Sequence, residues 1–365
     1  MKTILRICTF PTDKHSGMGL NSYNLAGLKG VKTVYLSPDY GEKLFLIPKN
    51  TKINLHKYLL TPYPRGGNLI QKLWHQTKRI YFVTYFFVIS LKLFFKNKID
   101  IVHIHSPVHF FIALVGKLLN KKVYITYHGI EFHSIYNNKL LAYIFDKTFD
   151  ISFSLSPAML NYKDVIKKNN SNVELIFNSI DRNIYINKKN KRKKQIIAVG
   201  RLEEQKGYPY LIKAFKLFFQ QNKDYKLIIV GAGQLLNKLK SLCCENNIDD
   251  NVIFAGQKTR VELIDLYNES EIFALVSQYE GFPKVLMEAM ACGCKIVATK
   301  VDAVPYIMGG NYPYLVDYGD SKAISTNISD LKNKKYDFFW KEYESILNRY
   351  SLKKHKDFMR KIYLN

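Results

Sequence analysis

Short β-branched apolar runs alternate with helical patterns along most of the chain. In the first half, Thr3 to Thr9, Lys32 to Leu36, Ile101 to Ile104, Lys122 to Tyr127, Ile151 to Leu155 and Val173 to Phe177 read as strands, with helices such as Asn21 to Leu28 and Phe110 to Leu119 between them. That alternation predicts a parallel sheet covered on both faces. The strand signal stops at Asn178-Ser179-Ile180-Asp181 and resumes at Gln195 to Val199. The second series predicts strands at Tyr225 to Val230, Asn251 to Phe254, Ile272 to Val276, Lys295 to Ala298 and Tyr314 to Asp317. Its helices are predicted at Tyr208 to Gln221, Gln234 to Glu245, Val261 to Asn268 and Lys284 to Cys292. The fold class is therefore α/β, with one doubly wound domain over residues 1–180 and a second over 181–349. Ligands of such sheets bind outside the carboxyl ends of the strands, and a nucleotide-sized crevice is expected between the two domains.

Two segments break the pattern. Lys188 to Lys194 (KKNKRKK) is polar and basic, which reads as a solvated linker or strand edge rather than a dedicated nucleic-acid patch. Ile80 to Phe95 is apolar and aromatic, flanked by Lys78, Arg79, Lys96 and Lys98. A spanning helix needs about 20 apolar residues, whereas this stretch has 16 and contains Lys92. Two readings stay open for it: a helix packed on the sheet, or a basic aromatic helix lying on an anionic membrane surface.

Composition narrows the class. A length of 365 residues suits two domains, and 47% hydrophobic with 23% charged residues excludes disordered, collagen-like and disulfide-stapled chains. The net charge of +25 favours anionic partners: nucleic acid, acidic lipid or a phosphorylated small molecule. Cys8, Cys243, Cys244, Cys292 and Cys294 are odd in number and form no paired CxxC motifs, which fits a reducing compartment. The start, MKTILRICTFP, lacks an apolar signal region, so a cytoplasmic location is expected.

Two motifs carry candidate chemistry. At Gly200-Arg201-Leu202 through Lys206-Gly207, a buried strand ends in a glycine turn and two cations follow five residues apart. Arg and Lys at a strand end are suited to neutralising a diphosphate. The stretch Glu280-Gly281-Phe282-Pro283-Lys284 leads from a strand into a helix, whose free N–H groups and positive dipole end suit a phosphate. Glu288, one turn deeper, is able to accept hydrogen bonds from paired hydroxyls such as those of a ribose. Each charge also has a plainer reading, as an exposed basic residue or a solvated helical carboxylate. His103 and His105 alternate on a strand, and strand-end histidines lining a polar crevice explain them better than a metal cluster. Gly231-Ala232-Gly233 lacks the third glycine of a dinucleotide fingerprint, so an NAD site is poorly supported.

In order and spacing, these residues resemble glycosyltransferase family 4, retaining nucleotide-sugar transferases with two Rossmann-like domains in the GT-B arrangement. The resemblance rests on Gly200 to Gly207 and on Glu280 with Glu288. It is supported by Asn178 to Asp181, His128-Gly129, Gly17-Met18-Gly19 and a closing helix over Tyr350 to Tyr363. It implies parallel sheets facing a central crevice, with residues 350–365 returning to the first, acceptor-binding domain. Arg201 and Lys206 would bind the donor diphosphate and stabilise the leaving group, Glu288 would hold the ribose, and Glu280 would contact hydroxyls of the transferred sugar. His128 would approach the donor sugar near the reacting carbon, and Gly17 with Gly19 would lie beside the diphosphate. Gly281, Phe282, Lys284 and Val285 complete the implied donor-binding set. One loop departs from the family: near Val301 to Ile307, where two glycines and a glutamate are common, this chain has Asp302, Ala303 and Tyr306.

The implied function is a metal-independent hexosyltransferase with no cofactor, using a nucleoside-diphosphate sugar as co-substrate, UDP-sugar favoured over GDP-sugar. The expected acceptor is a saccharide hydroxyl, lipid-linked, in surface polysaccharide, lipopolysaccharide or glycolipid biosynthesis, at the inner face of the cytoplasmic membrane. Rivals are an epimerase or phosphorylase on the same fold, a catalytically silent scaffold, and a basic nucleic-acid-binding protein. The last lacks the interleaved stacking aromatics that such a surface needs.

Overall fold

The structure is a computed structural model of the chain and describes residues 1–8, 25–39, 51–57, 69–128, 131–162, 166–167, 172–189, 191–335 and 337–365. The chain divides into two units, Met1–Ile176 with Lys356–Asn365, and Phe177–His355.

In the first unit, β1 (Lys2–Ile7), β2 (Val31–Asp39), β3 (Thr51–Lys57), β4 (Ile101–Ile104), β5 (Lys122–Tyr127), β6 (Ile151–Ser154) and β7 (Val173–Leu175) form a sheet in the order β3-β2-β1-β4-β5-β6-β7. Every pairing is parallel. Helices α1 (Leu69–Lys96), α2 (Phe110–Leu118), α3 (Glu131–Tyr136) and α4 (Lys139–Thr148) connect the strands. Leu5, Ile7, Val102, Ile104, Val123 and Ile125 turn to one face and pack with Phe86 and Leu93 of α1 and Ala142 and Phe145 of α4. The apolar stretch expected at Ile80 to Phe95 is thus part of a longer helix with two faces. Phe86, Ser90, Leu93 and Phe94 are buried, while Ile80, Tyr81, Val88 and Phe95 are exposed. Among the described residues no helix is long and apolar enough to cross a membrane. The helix predicted over Asn21 to Leu28 is not formed where it is described: residues 25–27 make a turn, and 21–24 lie outside the described residues.

The second unit holds β8 (Lys193–Val199), α5 (Tyr208–Phe219), β9 (Lys226–Val230), α6 (Leu236–Glu245), β10 (Val252–Gly256), α7 (Arg260–Glu269), β11 (Ser270–Leu275), α8 (Lys284–Ala291), β12 (Lys295–Thr299), α9 (Ala303–Met308), β13 (Leu315–Val316), α10 (Ser321–Asn333) and α11 (Asp337–Arg349). Its sheet order is β10-β9-β8-β11-β12-β13, again parallel. Local chemistry sets the helix starts. Gly207, at φ 65°, caps α5, and Thr259 with Glu262 forms a reciprocal capping box on α7.

The basic run before β8 is not merely solvated. Arg192 donates from Nη1 to the carbonyls of Tyr267 (3.0 Å) and Ser270 (2.5 Å) and from Nη2 to that of Cys292 (2.7 Å). One cation of the run therefore ties three segment ends together.

The units meet in sequence at Ile176/Phe177 and His355/Lys356 rather than at 180/181 and 349/350. Local bonding explains the shift. The Phe177 ring lies 5.5 Å from that of Phe282 and 5.1 Å from that of Tyr350, and Ile180 bridges Ser351, so both segments belong to the second unit. The last helix, α12 (Leu352–Leu364), ends in the first unit. There Tyr363 is fully buried beside Arg6 and His103, on the face of the sheet opposite Leu5 and Val102.

Candidate active site

In the second unit the motif residues gather at the carboxyl ends of β8, β11 and β12. The glycines permit the close approach. At Gly207 a Cβ would lie 2.1 Å from the Val276 carbonyl oxygen, and at Gly231, φ 142°, it would lie 1.9 Å from that of Gly200. Gly231-Ala232-Gly233 therefore serves packing of the turns after β8 and β9, in line with the weak case for a dinucleotide cradle.

Lys206, in the single turn before Gly207, reaches Glu280: Nζ to Oε1 is 2.6 Å. The Ser277 hydroxyl donates to the same oxygen at 2.6 Å, and the Glu280 N–H donates to Asp302 Oδ2 at 2.8 Å. Asp302 sits at φ 41°, a region in which glycine is at ease and other residues are strained. The loop that departs from the family pattern thus holds a strained aspartate that anchors the Glu280 backbone. Lys206 is not the solvent-facing cation its motif suggests, since its side chain is 15% exposed. Arg201, 69% exposed, pairs with Glu203 at 3.0 Å and does fit that description.

Glu288 is buried on α8, contrary to the reading as a solvated helical charge. Tyr185 donates to Oε1 at 3.0 Å and Tyr267 to Oε2 at 3.3 Å. Burial raises its carboxyl above the ordinary range, against the opposing help of Tyr185, Lys284 and Tyr267. Helix α8 begins at Lys284, with Pro283 as its N-cap rather than its first helical residue. Lys284 is pushed down to about 7 by desolvation. Gly281 and Val285 are half-buried beside it, and Phe282 is buried, its carbonyl accepting from Asn178 Nδ2 at 2.7 Å.

In the first unit, His128 follows β5, and its Nε2 lies 3.0 Å from Nδ1 of His105. His103 and His105 are buried, and their rings stack 4.5 Å apart. Gly17, Gly19 and Gly129 lie outside the described residues. Among the described residues no group of three or more His, Cys, Asp or Glu side chains is placed to hold a metal ion.

Residues 179–350 match the family model described as glycosyl transferases group 1, and residues 27–183 match the one described as Glycosyltransferase Family 4. The chain belongs to this glycosyltransferase family. The family member is 25% identical over 249 residues to N-acetyl-alpha-D-glucosaminyl L-malate synthase of Bacillus anthracis, covering 63% of this chain and 64% of that protein. It is 27% identical over 206 residues to a Campylobacter jejuni N-acetylgalactosamine-N,N'-diacetylbacillosaminyl-diphospho-undecaprenol 4-alpha-N-acetylgalactosaminyltransferase, covering 52% and 54% of the two chains. These matches span less than two thirds of either relative. The whole fold is similar to sucrose-phosphate synthase from Thermosynechococcus elongatus (16% identity, TM-score 0.76, 100% and 98% of the two chains). It is also similar to Anabaena HepE in complex with UDP and glucose (14% identity, TM-score 0.71, 99% of each). These likenesses establish the GT-B fold.

The family member also contains site residues that its motifs do not signal. Ser277 and Asp302 reach Glu280, and Tyr185 and Tyr267 reach Glu288 across 103 and 21 positions. A hydroxyl or carboxylate that acts through a single atom carries no periodic signal, so only the fold brings these partners into view.

Proposed function

We propose that the chain transfers a hexose-type sugar from a nucleoside-diphosphate sugar, UDP-sugar favoured, to a hydroxyl of a saccharide acceptor, with retention at the anomeric carbon and without metal or cofactor. The observation that carries the reading is the cluster of Arg201, Lys206 and the α8 start, with Lys284, at the strand ends of the second unit. The bond from the anomeric carbon to the β-phosphate oxygen breaks, and the electron pair leaves with the nucleoside diphosphate. Fixed cations and helix N–H groups act where that charge develops. The acceptor oxygen forms the new bond on the same face, and its proton passes to a leaving phosphate oxygen. In this reading Glu288 holds the ribose, Glu280 the sugar hydroxyls, and His128 the transferred sugar; Gly17, Gly19, Gly281, Phe282 and Val285 border the donor. Anabaena HepE binds UDP with glucose, and UDP-glucose, which favours a uridine donor.

The acceptor in this reading is lipid-linked, as the Campylobacter relative's name states for that enzyme. Exposed Ile80, Tyr81 and Phe95 on α1, Phe111 and Leu118 on α2, and Leu140 and Tyr143 on α4 project from three helices that share one core. Lys92, Lys96 and Lys98 lie among them, exposed around α1's end, a combination suited to an anionic cytoplasmic membrane surface. The test is product analysis with UDP-, GDP- and ADP-sugars with and without polyprenyl-diphosphate-linked saccharide, beside thermal unfolding with each donor. One donor should raise the melting temperature and give sugar transfer only with acceptor. Turnover without acceptor, or no donor effect at all, would overturn the reading.

A further inference from the structure

His103, His105 and His128 form a row at the carboxyl ends of β4 and β5. Arg6 is only a donor, and it bonds Tyr35 Oη at 3.1 Å and Tyr363 Oη. His103 Nδ1 lies 2.7 Å from Tyr363 Oη, and Nε2 lies 2.8 Å from Thr126 Oγ1. Burial, helped by its charged and histidine neighbours, holds His105 well below the ordinary histidine range, so it is neutral and carries one ring N–H. Its Nε2 is buried with no hydrogen-bond partner among the described residues, whereas Nδ1 lies 3.0 Å from Nε2 of His128. An unpaired buried N–H is the costlier orphan, so the hydrogen of His105 sits on Nδ1.

We propose that His105 is the positioning residue of His128, donating from Nδ1 to Nε2 of His128 and holding that ring, when neutral, in its Nδ1–H tautomer. The ring N–H of neutral His128 is then on Nδ1, and Nε2 is occupied. Only the consequence for transfer rests on the proposed function: with Nε2 occupied and Nδ1 protonated, neutral His128 is not the base, which leaves the acceptor proton to the departing phosphate.

Long-range proton–nitrogen spectra of the full chain labelled on histidine nitrogens, recorded at about pH 8 where free histidine is neutral, read the tautomer directly. The His128 signals are those lost in His128→Gln. The expected wild-type pattern is a protonated Nδ1 and a bare Nε2. His105→Asn, which keeps an N–H donor near the Nδ1 position, should preserve it, and His105→Leu should populate the Nε2–H form. With an active donor pair, His105→Leu should lower kcat about 10-fold, with rescue in His105→Asn. A wild-type His128 protonated on Nε2, or the same tautomer in the Leu and Asn variants, would overturn the proposal. If His105→Leu does not fold, the wild-type and Asn spectra still decide. If no nucleotide sugar is turned over, the transferase reading fails while the spectra judge the tautomer on their own.

Discussion

Nζ of Lys206 lies 2.6 Å from Oε1 of Glu280, so two motifs separated by 74 positions meet in one ion pair. The lysine assigned to a diphosphate and the glutamate assigned to a sugar hold each other. Arg201, by contrast, has only an exposed pair with Glu203 among the described residues.

That contrast separates two alanine variants. Arg201→Ala should leave the melting temperature unchanged, because exposed ion pairs contribute little. Lys206→Ala should destabilise by about 3 kcal/mol, because it strands a buried carboxylate. Both should lower turnover on the order of 10²-fold. Thermal unfolding beside initial rates checks this, and equal melting temperatures would count against a structural role for the Lys206 pair.

Glu288 supplies a pH signature. Its folded carboxyl is raised by burial, so the native state holds a proton that the unfolded chain has already released. This stabilisation is full below the unfolded value and is lost as pH rises through the folded one. As pH rises above the ordinary glutamate value of about 4.3 the wild type should therefore lose stability relative to Glu288→Gln. Tyr185→Phe removes a donor to the carboxylate and should move the loss to higher pH. Parallel stability curves for wild type and Glu288→Gln would rule the burial effect out.

Lys284 is held at about 7, so its charge is half lost near neutral pH. Affinity for UDP should fall as pH rises past that point, and Lys284→Gln should flatten the dependence. Calorimetric titration from about pH 6 to about pH 9 measures it; identical slopes in both proteins would remove Lys284 from the diphosphate site.

Sugar transfer should persist in excess EDTA, since Arg201, Lys206, Lys284 and the α8 start supply the positive charge. Complete loss, restored by magnesium or manganese, would refute a metal-independent reaction.

Sedimentation with vesicles of graded anionic content tests the exposed face of α1, α2 and α4. Binding should increase with anionic lipid and weaken in high salt, with roughly 1 kcal/mol lost per screened lysine. Binding that ignores both variables, or none at all, would sink the peripheral reading.

The strands Ile101–Ile104 and Lys122–Tyr127 were legible to the residue, because a buried parallel strand is a compact apolar run bounded by polar positions. The edge strand Thr51–Lys57 was not, since TKINLHK mixes polar and apolar side chains and contains no such run. Helices Ser321–Asn333 and Asp337–Arg349 were missed for a related reason: their apolar stripes are narrow and their other faces heavily polar. The motif residues of the site could be found because glycine turns and a helix start impose fixed spacing. Their supports could not: Tyr185, Tyr267 and Asp302 act through single atoms brought together by the fold, and Arg192 lay hidden in a run of otherwise ordinary charges.

Gly207 and Gly231 have a consequence for how relatives of this chain are read. Carbonyl oxygens of Val276 and Gly200 occupy the space that any β-carbon there would need. Both positions are closed to every other residue type whether or not a sugar nucleotide is ever bound. Descendants that lose their chemistry but keep their fold should retain these two glycines long after Lys206 or Glu280 has drifted, so glycine at these sites diagnoses ancestry and not activity.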